Sequence, residues 1–208
     1  MQTFPETSGS CPPDAVFRAM FEARKRVFVD LLKWDVPVLA DTYELDQFDT
    51  PDADYLILTD DEDGHRASAR LLRTDRPHIL GELFSCLCDG PVPARSDLKE
   101  ITRFCIEPML SRPERREVRT QLVTALVDHA LATGLSGYTA VAPSGWYRQI
   151  AEFGWQCRAL GPEQNLTGEC LVALEIAIDR TTPADLARNG IYCAGSYRRV
   201  GASLEAAS

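Results

Sequence analysis

The 208-residue sequence has no long apolar run, only three histidines, and seven cysteines without regular spacing. No stretch approaches the 18 apolar residues expected of a membrane span, and the N-terminus lacks the apolar segment of a signal peptide. The cysteines form no CxxC pair, and no histidine stands at metal-ligand spacing from one, so neither a zinc site nor a disulfide scaffold is expected. These absences predict a cytoplasmic protein with no bound metal and no membrane span.

The sequence also lacks an excess of basic residues and the glycine motifs of nucleotide-binding folds. Its formal net charge is −9 at pH 7 and its isoelectric point is near 4.9, which argues against nucleic-acid binding through phosphate contacts. Neither GxGxxG nor GxxxxGK[ST] occurs, so no dinucleotide or P-loop site is predicted. Cys105 and Cys170 lie in apolar runs and are expected in the core.

The composition is that of a folded protein, with 45% hydrophobic and 25% charged residues. The length predicts one domain over 1–208, with a polar arm at 1–11 and a frayed tail over about 195–208.

Hydrophobic periodicity predicts an α/β protein. A first helix begins near Pro12, ends before Pro37 and carries one apolar face made of Val16, Met20, Ala23, Val27, Leu31 and Trp34. Strands are predicted at 55–59, 67–73, 79–85, 99–106, 137–142, 155–160 and 169–178, and helices at 113–133, at 144–153 and from Thr182. This order predicts a mixed central β-sheet flanked by helices on both faces.

Six charged residues predict an ion-pair network, namely Arg24, Glu44, Asp46, Asp49, Arg70 and Arg103. The three arginines lie within predicted helix or strand patterns, where partial burial would require partners. The alternative is that all six are surface ions of little energetic consequence.

The strand around Glu100 offers a candidate general base. Two-residue periodicity places Glu100 and Thr102 on one face and Arg103 on the other. A desolvated glutamate on an apolar face has a raised pKa and can act as a base near neutral pH. The alternative is a strand-end glutamate that points to water.

Four aromatic residues accompany these charges: Phe28, Trp34, Phe84 and Phe104. Their spacing is more typical of core residues than of a ligand cage. Trp34 stands at a helix end beside an acidic loop, where an indole can stack on a planar ligand.

The order and spacing of these residues resemble the LuxI-type acyl-homoserine-lactone synthases, which make quorum-sensing signals. The resemblance covers residues 15–178 or so and includes Arg24, Phe28, Trp34, Glu44, Asp46, Asp49, Arg70, Phe84, Glu100, Arg103 and Phe104. It implies an N-acetyltransferase-like (GNAT) fold. It also implies an acyltransferase that joins S-adenosylmethionine to an acyl thioester, closes the lactone and releases methylthioadenosine.

The resemblance implies a role for each matching residue. Glu100 becomes the catalytic base, and S-adenosylmethionine is a substrate, so no cofactor is expected. The S-adenosylmethionine side is formed by Arg24, Phe28, Trp34, Asp46, Phe84 and Arg103, with the acidic loop attracting the cationic substrate. The acyl-chain side is formed by Thr102, Phe104 and Thr139, and a hydroxyl at the place of Thr139 favours a 3-oxo substituent.

The expected acyl donor is acyl-carrier protein, with coenzyme A left open. The glycine-rich turn that binds pyrophosphate in acetyltransferases is absent, and IEPMLSRP stands at 106–113 instead. Arg112, Arg115, Arg116 and Arg119 around the start of the long helix are either a docking patch for the acidic carrier or a solvated helix face. Two other functions stay open: N-acylation of a different amine, and a non-catalytic carrier-binding relative.

Overall fold

A computed structural model describes residues 13–166, 168–195 and 199–203. The predicted polar arm and residues 196–198 and 204–208 of the predicted tail lie outside the described residues. The helices are α1 (Pro13–Arg24), α2 (Ile79–Leu83), α3 (Arg112–Thr133), α4 (Ser144–Ala151) and α5 (Thr182–Arg188). A π-helical turn, Lys25–Leu31, continues α1, and a 3₁₀ turn, Ser85–Leu87, follows α2.

Eight strands form the main sheet, and the first two form a small separate ribbon. The strands are β1 (Val38–Leu39), β2 (Tyr43–Glu44), β3 (Asp54–Thr59), β4 (His65–Arg73), β5 (Leu98–Ile106), β6 (Gly137–Pro143), β7 (Gln156–Ala159), β8 (Gln164–Leu166), β9 (Glu169–Ala177) and β10 (Arg199–Ser203). The main sheet has the order β10-β3-β4-β5-β6-β9-β7, and β8 also pairs with β9. The predicted mixed sheet flanked by helices is confirmed.

The centre of the sheet contains its one parallel pair among the described strands, β5 and β6, which α3 connects. Their pairing stops at Ile101 and Ala140, although β5 continues to Ile106 and β6 to Pro143. The two strands therefore separate in the middle of the sheet.

Alternating strand residues pack into two cores, one on each face of the sheet. Leu56, Leu71 and Ile101 pack with the buried face of α3. On the other face, Ile57 and Leu72 pack with the apolar face of α1. The helices thus cover both faces, because each strand is apolar on both sides.

The second half of the first helix differs from the prediction. Leu31 and Trp34 are exposed by 56% and 38%, whereas Phe28, outside the predicted face, is buried. A π-helical turn places i and i+5 in register, so it rotates the following side chains away from the α-helical stripe. This change brings Phe28 rather than Leu31 to the core.

Three other predictions are wrong. Residues 79–85 were expected as a strand but contain α2, because a short apolar run does not distinguish strand from helix. The tail was expected to fray, but Arg199–Ser203 pairs with β3 as an antiparallel edge strand. Cys170 is exposed, while Cys105 is buried as expected.

None of the helices in the described part of the chain has the length and hydropathy that a membrane span requires. The six described cysteines are free thiols.

Candidate active site

The predicted charge network is present and buried. Arg24, at the end of α1, donates from Nε to Glu44 Oε2 at 2.6 Å and from its two terminal nitrogens to Asp49 at 2.8 and 2.9 Å. Its side chain is 1% exposed. All three guanidinium nitrogens of Arg24 are therefore occupied within the protein.

Asp46 joins the other two arginines. Arg70 contacts both of its oxygens, at 2.6 and 3.0 Å, and Arg103 donates to Oδ2 at 2.7 Å. Arg103 also donates to Glu44 at 2.9 Å. Three arginines face three carboxylates, so the network is neutral overall. The expectation that Asp46 attracts a cation as a free charge does not fit this pairing.

The network keeps Asp46 and Asp49 ionised. Burial alone would raise the pKa of Asp49, but hydrogen bonds and charge from Arg24 outweigh it and hold that pKa well below its usual range. Arg70 lowers the pKa of Asp46 in the same way. Tyr55 donates its hydroxyl to Asp49 Oδ1 at 2.7 Å, and burial with this bond raises the pKa of Tyr55.

Arg103 reaches the network through a bulge in β5. The pairing of β4 with β5 shifts by one residue between Ser68 and Arg70, and Arg103 has φ of +49°. The prediction that Arg103 faces away from Thr102 is therefore wrong. Thr102 accepts a hydrogen bond from Arg70 Nε at 3.0 Å, and Arg103 pairs with the same Asp46 that binds Arg70. An extra residue in one strand resets the alternation of its side chains.

An aromatic pair lies beside Arg103. Phe28 and Trp34 stack with ring centroids 4.8 Å apart, and the Arg103 guanidinium lies over both rings at 5.5 and 6.0 Å. Phe28 is buried and Trp34 is 38% exposed. The pair therefore offers a partly open aromatic surface next to a cation. Phe84, at the end of α2, is half-buried between two apolar clusters.

Glu100 has the features of a general base. Its carboxyl is fully buried; Oε1 accepts the backbone N–H of Leu80 at 2.9 Å, and Oε2 has no partner. Burial raises the pKa of Glu100 to about 8, although the N–H groups of Leu80 and Ile79 and the charge of Arg70 lower it in part. The alternative of a water-exposed strand-end glutamate is wrong.

Thr139 lies next to Glu100 on the adjacent strand. The two residues are paired in the register of β5 and β6, and the Thr139 hydroxyl is buried without a partner. Two unpaired buried polar atoms therefore occupy neighbouring positions, which is unusual in a folded protein. Phe104 lies apart from them, against the α3 core with Trp146. The three residues predicted on the acyl-chain side thus occupy two faces of the sheet.

The comparison with known families agrees with this geometry. A family model described as autoinducer synthase matches residues 13–186. The chain belongs to the autoinducer synthase family. An acyl-homoserine-lactone synthase from Ralstonia nicotianae is 32% identical over 194 residues, which cover 89% of this chain and 93% of that protein. Proteins of this family are acyltransferases, and so is this one.

Solved structures support the same assignment. TofI, described in a ternary complex with an inhibitor and MTA, is 30% identical, covers 90% of this chain and 97% of its own, and has a TM-score of 0.70. BjaI, described as CoA-dependent and bound to SAM and isopentyl-CoA, is 23% identical with a TM-score of 0.77 and coverages of 86% and 83%, and this likeness shows the fold alone. An N-acetyltransferase from Lactobacillus plantarum, 17% identical with a TM-score of 0.55 and coverages of 81% and 94%, shares the fold alone. The predicted N-acetyltransferase-like fold is confirmed.

The four arginines predicted as a docking patch in this autoinducer synthase do not form one surface. Arg112, Arg115 and Arg116 are exposed on the first turns of α3. Arg119 is half-buried instead, and its guanidinium lies over the rings of Trp146 and Phe153 at 5.9 and 5.5 Å. Only the first three form an exposed basic surface.

Two site residues were missed at the sequence level. Tyr55 looked like the first apolar residue of a strand, although its hydroxyl anchors Asp49. Leu80 contributes only a backbone N–H to Glu100, and no side-chain pattern signals that role. Within the described ranges, no group of His, Cys, Asp or Glu residues is arranged to hold a metal ion.

Proposed function

We propose that this autoinducer synthase makes an acyl-homoserine lactone from S-adenosylmethionine and an acyl thioester. The observation that carries the proposal is the buried Glu100 carboxyl, whose Oε2 has no partner beside the gap between β5 and β6. The complexes described for TofI with MTA and for BjaI with SAM support S-adenosylmethionine as a substrate rather than a cofactor.

Glu100 is the general base of the first step, amide formation. A free α-amine has a pKa of roughly 8 and does not attack a carbonyl in its ammonium form. Glu100, in its carboxylate form, accepts one proton from the substrate ammonium, directly or through a water. The amine then forms a C–N bond with the thioester carbonyl, and the C–S bond breaks. The nitrogen loses a second proton, which goes to the leaving sulfur, and the thiol is released.

The second step closes the lactone. A carboxylate oxygen of the methionine moiety attacks the γ-carbon, and the bond from that carbon to the sulfonium sulfur breaks. The electron pair goes to sulfur, which leaves as neutral methylthioadenosine. This step is intramolecular, so the protein accelerates it mainly by holding the chain in a folded conformation.

The substrate cation is best accommodated at Trp34. Stacked Phe28 and Trp34 present the open aromatic surface, and Arg103, which retains 9% exposure, lies beside it. Arg24 and Asp46 have no free polar atom for the substrate. We therefore assign them to holding the acidic loop in place. Phe84 follows α2, whose Leu80 binds Glu100, and we assign it to the wall of the substrate site on that side.

Acyl-carrier protein is the acyl donor that we favour. After β5 the chain turns at 107–111 without a glycine, and backbone N–H groups there are already used. Met109 N donates to Glu107, Leu110 N to the Glu107 carbonyl and Ser111 N to Glu114. N–H groups that are engaged in this way are not arranged in advance to hold the diphosphate of coenzyme A. The exposed arginines Arg112, Arg115 and Arg116 lie directly after this turn and suit an acidic partner.

The test is turnover of purified protein with S-adenosylmethionine and a panel of acyl thioesters. Methylthioadenosine and an acyl-homoserine lactone should form in equal amounts. An amide product of another amine, without methylthioadenosine, would instead identify a different N-acyltransferase. Absence of any product with every donor, from folded protein, would indicate a non-catalytic relative.

A further inference from the structure

Arg119 is a cation without an anionic partner in the described part of the chain. Its Nε is buried and makes no hydrogen bond, and its guanidinium is held only by the faces of Trp146 and Phe153. Burial and the nearby charge of Arg116 lower the pKa of Arg119. This buried Nε has lost water without gaining an acceptor, whereas the Nε atoms of Arg24, Arg70 and Arg103 each donate to an acceptor.

Arg119 lies near the gap where β5 and β6 separate. It lies on α3, which follows β5, and contacts Trp146 on α4, which follows β6. Trp146 in turn packs against Phe104 in the part of β5 that no longer pairs with β6, with ring centroids 6.0 Å apart. The guanidinium therefore lies between the two helices that flank the separated strands. A long, narrow substrate entering between these strands would pass it.

We propose that Arg119 binds the phosphate of the acyl donor's pantetheine arm. This inference rests on the proposed function, since it names the group that holds the donor. Both coenzyme A and acyl-carrier protein carry a phosphate at the end of that arm, and arginine can contact a phosphate through two parallel N–H groups. The contacts with Trp146 and Phe153 hold the guanidinium in one position, so its N–H donors need little reordering to meet a phosphate. The backbone turn at 107–111, already occupied, leaves this role to a side chain.

The test compares donors that differ in the phosphate. Arg119→Met and Arg119→Lys are assayed with acyl-coenzyme A, with acyl-carrier protein and with the acyl-N-acetylcysteamine thioester, which lacks the phosphate. Arg119→Met should raise KM roughly 10- to 100-fold for the two phosphate-bearing donors. KM for the N-acetylcysteamine donor and for S-adenosylmethionine should stay unchanged. Arg119→Lys should recover part of the loss, and the exposed Arg180→Met serves as the matched control.

Equal loss with all three donors would overturn the inference, because it would show that Arg119 acts by packing against Trp146. Unchanged KM with every donor would overturn it as well. Calorimetric binding of coenzyme A itself, without turnover, separates this inference from the proposed function. Weaker binding by Arg119→Met than by wild type supports the phosphate site even if no lactone forms, and equal binding contradicts it even if lactone does form.

Discussion

At the scale of single residues, Glu100 determines how the protein responds to pH. The carboxyl must be ionised to accept a proton, and burial raises its pKa to about 8. The rate at saturating donor should therefore rise with pH through this region. Glu100→Gln keeps the shape and can still accept the Leu80 N–H, but it removes the base. It should lower the rate by roughly 10²- to 10⁴-fold and abolish this part of the pH profile.

The same substitution should change stability in a pH-dependent way. The pKa of Glu100 is raised above its unfolded value of about 4.3, so the stabilising contribution of the protonated form is complete below that value and is lost as the pH rises through about 8. Thermal unfolding should show Glu100→Gln close to wild type at acidic pH and more stable than wild type above the folded pKa. As for activity, if Glu100→Gln keeps a rate within about threefold of wild type, Glu100 is excluded as the base.

Thr139 allows a second test at this scale. Its buried hydroxyl has no partner in the protein, so Thr139→Val, which keeps the volume, should leave the melting temperature unchanged or slightly raised. If that hydroxyl binds a 3-oxo group, the variant should lose preference for 3-oxo over unsubstituted donors by about 0.5–1.5 kcal/mol. Product ratios from a mixture of the two donors measure this, and an unshifted ratio would remove Thr139 from substrate selection.

At the scale of structural elements, the charge network joins α1, strand β2 and the loop after it, and strands β4 and β5. Arg70→Ala leaves Asp46 and Asp49 buried with less compensation, and Arg103→Ala does so for Glu44 and Asp46. Breaking one side of a buried pair costs about 3–5 kcal/mol. Both variants should lose stability in denaturant unfolding as well as activity. Arg95→Ala is the control, because Arg95 is exposed and pairs with Glu175, and it should change the stability little. A similar loss of stability for all three variants would contradict a special role for the network.

The elements also show what the sequence can and cannot predict. The six members of the network can be identified from the sequence, because arginines within helix and strand patterns are partly buried and then need carboxylate partners. The side of β5 on which Arg103 lies was not predictable, since one bulged residue at φ +49° reverses it. The helix Ile79–Leu83 was missed for a related reason. Its short apolar run carries no periodicity, and its link to the site is the backbone N–H that Leu80 gives to Glu100.

At the scale of the whole molecule, net charge opposes the proposed partner. The protein carries −9 and acyl-carrier proteins are strongly acidic, so on average the two repel each other. The exposed Arg112, Arg115 and Arg116 form a local basic surface, although Glu117 is exposed among them and Glu114 is engaged in capping Ser111. A local patch can steer association against the mean charge, because charges beyond a Debye length of about 8–10 Å are screened.

Charge reversal separates this local effect from the mean charge. Arg115→Glu with Arg116→Glu should weaken the use of carrier-bound donors, most strongly at low salt, because steering depends on unscreened charge. KM for S-adenosylmethionine should stay unchanged. Arg18→Glu with Arg180→Glu, at two exposed positions elsewhere, changes the net charge by the same amount. If repulsion between whole molecules dominates, both double variants should lose carrier use equally, whereas a docking patch predicts loss for the first alone. Equal loss by the first variant with the small N-acetylcysteamine donor would show that these arginines support the fold of α3 and that the carrier docks elsewhere.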